Sequence, residues 1–254
     1  TVIRDTVVCL DANNEPLRDI ILWLDKRTVD PNGAMPAKNM MLFKVAGMEP
    51  TAKVVYAASV GNWIMRHEPE IWARTAKYVM LPTYLNYKLT GNLIDSASNQ
   101  IGHIPFDYKN RRWMKPGSLT RCFCDVPNEK LCDLVPSGTV IGTITDEVCA
   151  LTGIPAGLPL ISTGSDKGCE TLGLAVVDSD KASISLGTTA TIQFSTTEYV
   201  EPQQFLPAYP GVLNDHYNPE IEIYRGLWLL SWFVKEFGTA DAIDAKEKGM
   251  APEA

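Results

Sequence analysis

One carboxylate stands where α/β proteins bind their ligands. In Ile161-Ser-Thr-Gly-Ser-Asp-Lys-Gly168, a strand reading at 158–162 runs into Gly164, and Asp166 follows at the start of a helical stretch. Open α/β sheets bind ligands at such strand ends, and Gly164 and Gly168 let a substrate come close to the backbone. Asp166 can serve there as a general base or a metal ligand; equally it can cap the helix, worth about 1 kcal/mol. A second segment, Ser185-Leu-Gly-Thr-Thr-Ala190, puts a Gly-Thr-Thr turn between two strands, with the N–H groups and hydroxyls that a phosphate needs. A plain hairpin turn has the same composition, and the P-loop spacing is absent. The third is Trp23-Leu-Asp25-Lys-Arg27, with Arg4-Asp5 ahead of it. Trp can cover the apolar face of a sugar while an Arg–Asp pair bonds hydroxyls. Such charges at strand ends also form surface ion pairs that contribute little.

These residues need elements to position them. Apolar runs at 6–10 and 20–24 around a turn at 11–16 predict two strands, buried on both faces. Residues 30–48 lack a clear period and read as loop or short helix. Helical spacing covers 51–66, and Pro69 restarts a helix that runs to about 77. A strand at 78–81 precedes a helix at 84–89, which Gly91 stops. Residues 107–134 are irregular, with a short helix near 129–134. Strands are expected at 139–144, 158–162, 182–186 and 191–195, and helices from a Thr145 cap, at 167–174 and at 225–237. The alternation is that of a mixed α/β protein.

The chain has 254 residues, 30 acidic against 23 basic, a net charge of −7 and 45% hydrophobic content. This composition is that of a soluble globular protein and argues against nucleic-acid binding, which needs clustered Lys and Arg. Lys109-Asn110-Arg111-Arg112 is the one dense basic stretch and reads as a solvated turn. The uncharged run at 148–165 is broken by Gly153, Pro155, Gly157, Pro159 and Gly164 and cannot span a membrane. The cysteines at 9, 122, 124, 132, 149 and 169 read as reduced core or loop residues. Cys122, Cys124 and Cys132 lack the paired spacing and the nearby His of a zinc site, so no metal is expected there.

Taken in order, the segments resemble the FGGY family of carbohydrate kinases. Glu15 to Arg27 is similar to that family's strand–turn–strand ending in Trp-x-Asp-x-Arg, and Met48-x-Pro50-x-x-Lys53-Val54 to its first signature, with Tyr56 where Trp is usual. Pro69 to Lys77 and Leu81 to Gly91 are similar to its central helices. Asp95-x-x-Ser98-Asn99, Phe106-Asp107, Gly164-Ser-Asp166 and Leu186-Gly-Thr-Thr189 follow in order. The resemblance implies an actin-like, ribonuclease-H-related fold, a mixed sheet with flanking helices, incomplete at both ends. It implies that residues 1–237 form most of an N-terminal sugar-binding domain and 238–254 begin the connection to a nucleotide-binding one.

The same resemblance implies roles. Asp166 would take the proton of an acceptor hydroxyl attacking the γ-phosphate of ATP, with Mg2+ as companion ion. Arg4, Asp5, Trp23 and Met48 would hold a small ketose or sugar alcohol, as would Lys167, which stands where the family often has Gln. Gly187, Thr188 and Thr189 would face the phosphates. Arg4, Asp5 and Trp23 should line one cleft with Asp166, and the Gly-Thr-Thr turn should open onto it. The expected setting is cytoplasmic, with no nucleic-acid or membrane partner and with a homodimer as the one assembly considered. A non-catalytic sugar-binding or regulatory relative is the alternative; a hydrolase is disfavoured by the lack of a Gly-x-Ser-x-Gly elbow.

Overall fold

The computed structural model describes residues 2–187, 189–223 and 226–250, less the side chains of residues 241 and 242. The described chain packs as two compact units. The first runs to Cys169 and takes in Tyr209–His216; the second comprises Glu170–Ala208 and the residues from Tyr217 on.

In the first unit, β1 (Val7–Leu10) pairs antiparallel with β2 (Lys77–Met80), Val7 opposite Met80 and Leu10 opposite Lys77. All four β1 residues are buried. Because side chains alternate along a strand, Val7 and Cys9 enter one hydrophobic cluster with Tyr78 and Met80. Val8 and Leu10 enter a second with Val79. The unbroken apolar run thus marks a strand packed on both sides. The second expected strand, 20–24, shrinks to one bridge between Ile21 and Val7. Beyond it the chain turns, the Asp25 N–H donating to the Leu22 carbonyl at 2.9 Å. The Arg27 guanidinium grips the Asp25 carboxylate at 2.8 and 2.7 Å and lies 4.3 Å from the Trp63 ring centroid. These local bonds favour a turn over a longer ladder.

Four helices lie between the two strands: α1 (Ala37–Val45), α2 (Glu49–Ala58), α3 (Val60–His67) and α4 (Pro69–Arg74). The periodic stretch at 51–66 is therefore two helices. Ser59 breaks it with an extended backbone (ψ 115°), and its Oγ accepts the Asn62 N–H at 3.4 Å to cap α3. Serine commonly offers the backbone such an alternative to helix. After β2, α5 (Leu81–Thr90) carries Pro82 in its first turn and stops at left-handed Gly91. Short pairs follow: β3 (Ile94–Ser96) parallel to β6 (Asp133–Val135), β4 (Phe106–Asp107) antiparallel to β5 (Arg112–Trp113), and β7 (Val140–Thr143) antiparallel to β8 (Pro159–Ile161). Between β7 and β8, α6 (Asp146–Thr152) is capped by Thr145.

Helix α7 (Asp166–Gly173) follows β8. In the second unit, β10 (Ala190–Phe194) is the centre of a three-stranded antiparallel sheet, with β9 (Ala182–Leu186) and β13 (Glu220–Ile223) beside it. The two-residue strand β12 (Tyr217–Asn218) precedes β13 and α8 (Leu227–Phe237) and α9 (Thr239–Glu247) follow it, whereas the two-residue β11 (Tyr209–Pro210) belongs to the first unit. The architecture is mixed α/β with sheets of two or three strands. Among the described residues, no helix is long and apolar enough to cross a membrane.

Candidate functional site

The turn that follows β3 is organised by one buried acid. Asp95 has no solvent exposure. Its carboxylate accepts from Thr83 Oγ1 (2.8 Å), Asn86 Nδ2 (3.2 Å), Asn99 Nδ2 (2.9 Å), Gln100 Nε2 (3.0 Å) and the Ser96 N–H (2.7 Å). Burial pushes its pKa up and the hydrogen bonds pull it back, leaving it above the ordinary carboxylate value. A buried acid needs such donors, since desolvation without them is costly. Two of them, Asn99 and Gln100, lie just ahead in sequence, so Asp95 folds the chain back on itself. That fold fixes the carbonyls of Ser98 and Ile101.

Each of those carbonyls holds one half of the candidate site. Ser98 O accepts the Ser165 N–H at 3.1 Å, and Ile101 O accepts the Asp5 N–H at 3.1 Å. The two anchors are three residues apart and so no more than roughly 11 Å from each other. On the Ser98 side, the Ser137 hydroxyl lies 2.9 Å from Ser96 Oγ, 3.0 Å from Ser98 Oγ and 3.1 Å from Thr163 O. The chain approaches so closely here that a Cβ on Gly164 would sit 2.7 Å from Val212 Cγ2 and 3.3 Å from Ser98 Cβ. Only glycine fits.

Asp166 opens α7, but the cap is Ser165. Its Oγ accepts the Gly168 N–H at 3.2 Å and its carbonyl accepts the Cys169 N–H at 2.9 Å. The Asp166 Oδ1 is buried with no hydrogen-bond partner. Buried polar atoms are normally paired, so this oxygen stands out at the strand-to-helix turn. Lys167 follows in the first turn of α7.

Arg4, Asp5 and Trp23 meet at the start of β1. Thr6 Oγ1 accepts the Trp23 N–H at 3.3 Å and donates to Arg4 O at 3.3 Å, and Trp23 remains 37% exposed. Asp5 adopts a left-handed backbone, φ 49°. Its Oδ1 accepts the His103 N–H at 3.2 Å, and its Oδ2 faces His103 Nδ1 at 3.2 Å. Burial lowers the His103 pKa, and the Asp5 carboxylate outweighs that, holding it above its ordinary 6.5. Gly102 between them has φ 152°, and a Cβ there would collide with the Asp5 carboxylate. The Arg4 guanidinium lies 5.4 Å from the Tyr209 ring, which meets Tyr108 edge-on at 5.6 Å. The Tyr108 hydroxyl accepts from Gly102 N–H at 3.2 Å and donates to Gly102 O at 2.9 Å. Met48 sits at the α1–α2 turn, its N–H on Phe43 O at 2.7 Å.

Sequence reasoning missed His103, Tyr108 and Tyr209. His103 is set aside at the sequence level as too far from the cysteines to join them, and its partner Asp5 lies 98 residues away. The one available signal was Gly102 beside it, a residue that permits close approach.

In the second unit, Gly187 and Thr189 close a hairpin between β9 and β10, with Leu186 opposite Ala190. The Gly187 N–H donates to Thr189 O at 2.9 Å, and Gly187 O accepts the Leu227 N–H at 2.9 Å. Thr188 lies outside the described residues. The cysteines are dispersed: Cys124 is buried against Gly61, Cys132 accepts from Thr83 Oγ1 at 3.8 Å, and Cys122 donates to Leu119 O at 3.1 Å. Burial pushes the Cys124 thiol up to about 11 and Cys132 to about 12. Among the described residues, no group of three or more His, Cys, Asp or Glu is placed to hold a metal ion.

The sequence and the fold are both similar to those of known proteins. The sequence profile of the FGGY family of carbohydrate kinases, N-terminal domain, matches residues 1–173. The chain belongs to that family. It is 32% identical over 171 residues to the uncharacterized sugar kinase YgcE of Escherichia coli (strain K12), covering 67% of this chain and 35% of the relative. It is 28% identical over 236 residues to the xylulose kinase of the same strain, covering 91% of this chain and 47% of the relative. The fold is similar to that of a ligand-bound xylulose kinase from Lactobacillus acidophilus (TM-score 0.72, 20% identity, 92% of this chain, 47% of that one). It is also similar to that of Plasmodium falciparum glycerol kinase with ADP (TM-score 0.68, 17% identity, 96% of this chain, 50% of that one). The chain thus spans about half, or less, of the length of the relatives it matches.

Proposed function

We propose that this chain is most of the N-terminal, sugar-binding domain of a kinase that transfers phosphate from ATP to a small ketose or sugar alcohol. The observation that carries the reading is Asp166. Its Oδ1 is buried without a partner while Ser165 does the capping, so a base stands spare at the strand end. Arg4, Asp5 and Trp23 would bind hydroxyls and cover the sugar's apolar face, with Lys167 and Met48 as further contacts. Gly187, Thr188 and Thr189 would meet the phosphates. ATP supplies the phosphoryl group. No cluster of metal-ligating side chains is assembled among the described residues, so Mg2+ would arrive held by the nucleotide phosphates. The short sheets are read as parts of an actin-like, ribonuclease-H-related core, with residues 1–237 in the first domain and 238–254 leading to the next. A cytoplasmic setting, where sugar and ATP meet, suits this reading.

Phosphoryl transfer depends mainly on positioning and on charge neutralised from several sides. The test uses the longer protein with D-xylulose, D-ribulose and glycerol in the presence of Mg-ATP. One of them should be phosphorylated, and Asp166→Asn, which keeps the shape and removes the base, should lower kcat by about 10²–10⁴-fold. An Asp166→Asn protein with full activity would mean the mechanism is wrong. The 254-residue chain alone should show no turnover.

A further inference from the structure

We infer that His103 is a positioning residue for sugar binding, acting by clamping the Asp5 carboxylate. The inference rests on the kinase reading above and names a residue of the same site. Two independent bonds support it: the His103 N–H on Asp5 Oδ1 and His103 Nδ1 on Asp5 Oδ2, each at 3.2 Å. Together they fix both oxygens of one carboxylate, as a bidentate grip does. The Asp5 backbone at φ 49° is unfavourable for a non-glycine residue and holds only when its surroundings enforce it. The enforcing contacts are Ile101 O on the Asp5 N–H and the close approach of Gly102.

The clamp is itself braced. Tyr108 holds both polar backbone groups of Gly102, and Ser59 Oγ donates to His103 O at 3.4 Å. The His103 side chain is 37% exposed and that of Asp5 31%, so the pair faces solvent on one side, where a hydroxyl can reach the carboxylate. A carboxylate locked in one orientation accepts a sugar hydroxyl without paying to order itself on binding. His103 touches no reacting atom in this scheme; it sets where Asp5 points.

Such a residue shifts binding and spares chemistry. In the longer protein, His103→Ala should raise the KM for whichever of D-xylulose, D-ribulose or glycerol is turned over best by about 10-fold, with kcat within about two-fold, since one hydrogen bond to a charged group is lost. His103→Asn, whose amide can still donate to Asp5, should restore most of the affinity. A second readout is independent of activity: in NMR titrations of the 254-residue chain, Asp5→Asn should lower the His103 pKa. An unchanged KM in His103→Ala, alongside turnover that depends on Asp166, overturns this inference alone. So does a His103 titration that Asp5→Asn leaves unmoved. Turnover of none of the three probes overturns the kinase reading and this inference with it.

Discussion

The two units bury opposite kinds of surface. In the first, β1 sends apolar side chains to both faces, and the acid Asp95 is buried only because five donors surround it. In the second, the sheet is inverted. Ser183, Thr191, Gln193 and Glu220 are buried, whereas Ile184, Leu186, Ile192, Phe194, Ile221 and Ile223 are exposed. The buried side is a polar chain: Thr171 Oγ1 lies 2.9 Å from Ser183 Oγ and also bonds Gln193 Oε1, and Gln193 Nε2 donates to Glu220 Oε2 at 2.9 Å. The exposed side is a continuous apolar row, because Ile192 stands opposite both Ile184 and Ile221. Contiguous apolar faces of this kind are rare on soluble monomers. The first unit is finished around its site; the second presents a face that is not.

The comparison breaks first at Asp95. If the acid organises the loop that carries both halves of the site, Asp95→Asn should cost about 2–4 kcal/mol, because its amide N–H₂ would face either Asn86, Asn99 and the Ser96 N–H or Thr83 and Gln100 and leave those donors unpaired. Urea unfolding of the variant measures this. A change below 0.5 kcal/mol would mean that the loop holds without it. Next comes Gly164. A methyl group there meets Val212 Cγ2 at 2.7 Å, and overpacking of this kind costs about 1–3 kcal/mol. Thermal melts should show the loss, and replacing Val212 by Ala in the same chain should recover part of it.

Much of this was legible in the sequence, for reasons that differ by element. The strand at 7–10 was readable because a doubly buried strand is an unbroken apolar run, and α5 because Pro82 and Gly91 mark its ends. The ordered motifs from Trp23 to Thr189 were enough to reach the family. What escaped was non-local. Nothing in residues 51–66 announces that Ser59 will leave the helix, since its hydroxyl can cap or stay silent. The shortening of the strand at 20–24 follows from the turn in which Asp25 bonds Leu22 and Arg27, which the apolar run does not announce. The Asp5–His103 pair joins residues that no spacing rule connects. The strands expected at 182–186 and 191–195 carry no sign of the inversion, because alternation gives the period and not the direction, and the third strand at 220–223 is not among the expected ones. The helix at 239–247 was read as a connecting segment.

A smaller effect sharpens the picture at the site's edge. His103 has its pKa raised by Asp5, so the folded state holds the proton more tightly than the unfolded one. Its contribution to stability is complete below pH 6.5 and is lost as pH rises through the folded value. Melts of the chain between pH 5.5 and 8.5 should therefore decline less steeply for His103→Gln than for the parent. The pair is partly exposed, so solvent screens it and the difference in slope is small. An identical slope would place no linked proton at His103.

The smallest expected effect is the one that tests the second unit most directly. Ile192 is 43% exposed on the open face of β10, between Ile184 and Ile221. In an ordinary half-buried sheet, replacing such an isoleucine by a polar residue removes core packing and costs 1 kcal/mol or more. Here the side chain faces solvent, and threonine keeps the β-branched shape that strands favour. Ile192→Thr should then change stability by no more than about 0.5 kcal/mol, as surface substitutions do. It should also lower the fluorescence of a hydrophobic dye bound to the chain, because the apolar row is interrupted at its centre. Urea unfolding at two protein concentrations decides the matter. A cost above 2 kcal/mol at either concentration would mean that Ile192 is covered in solution, and the contrast between the two units would fail at the residue where it is sharpest.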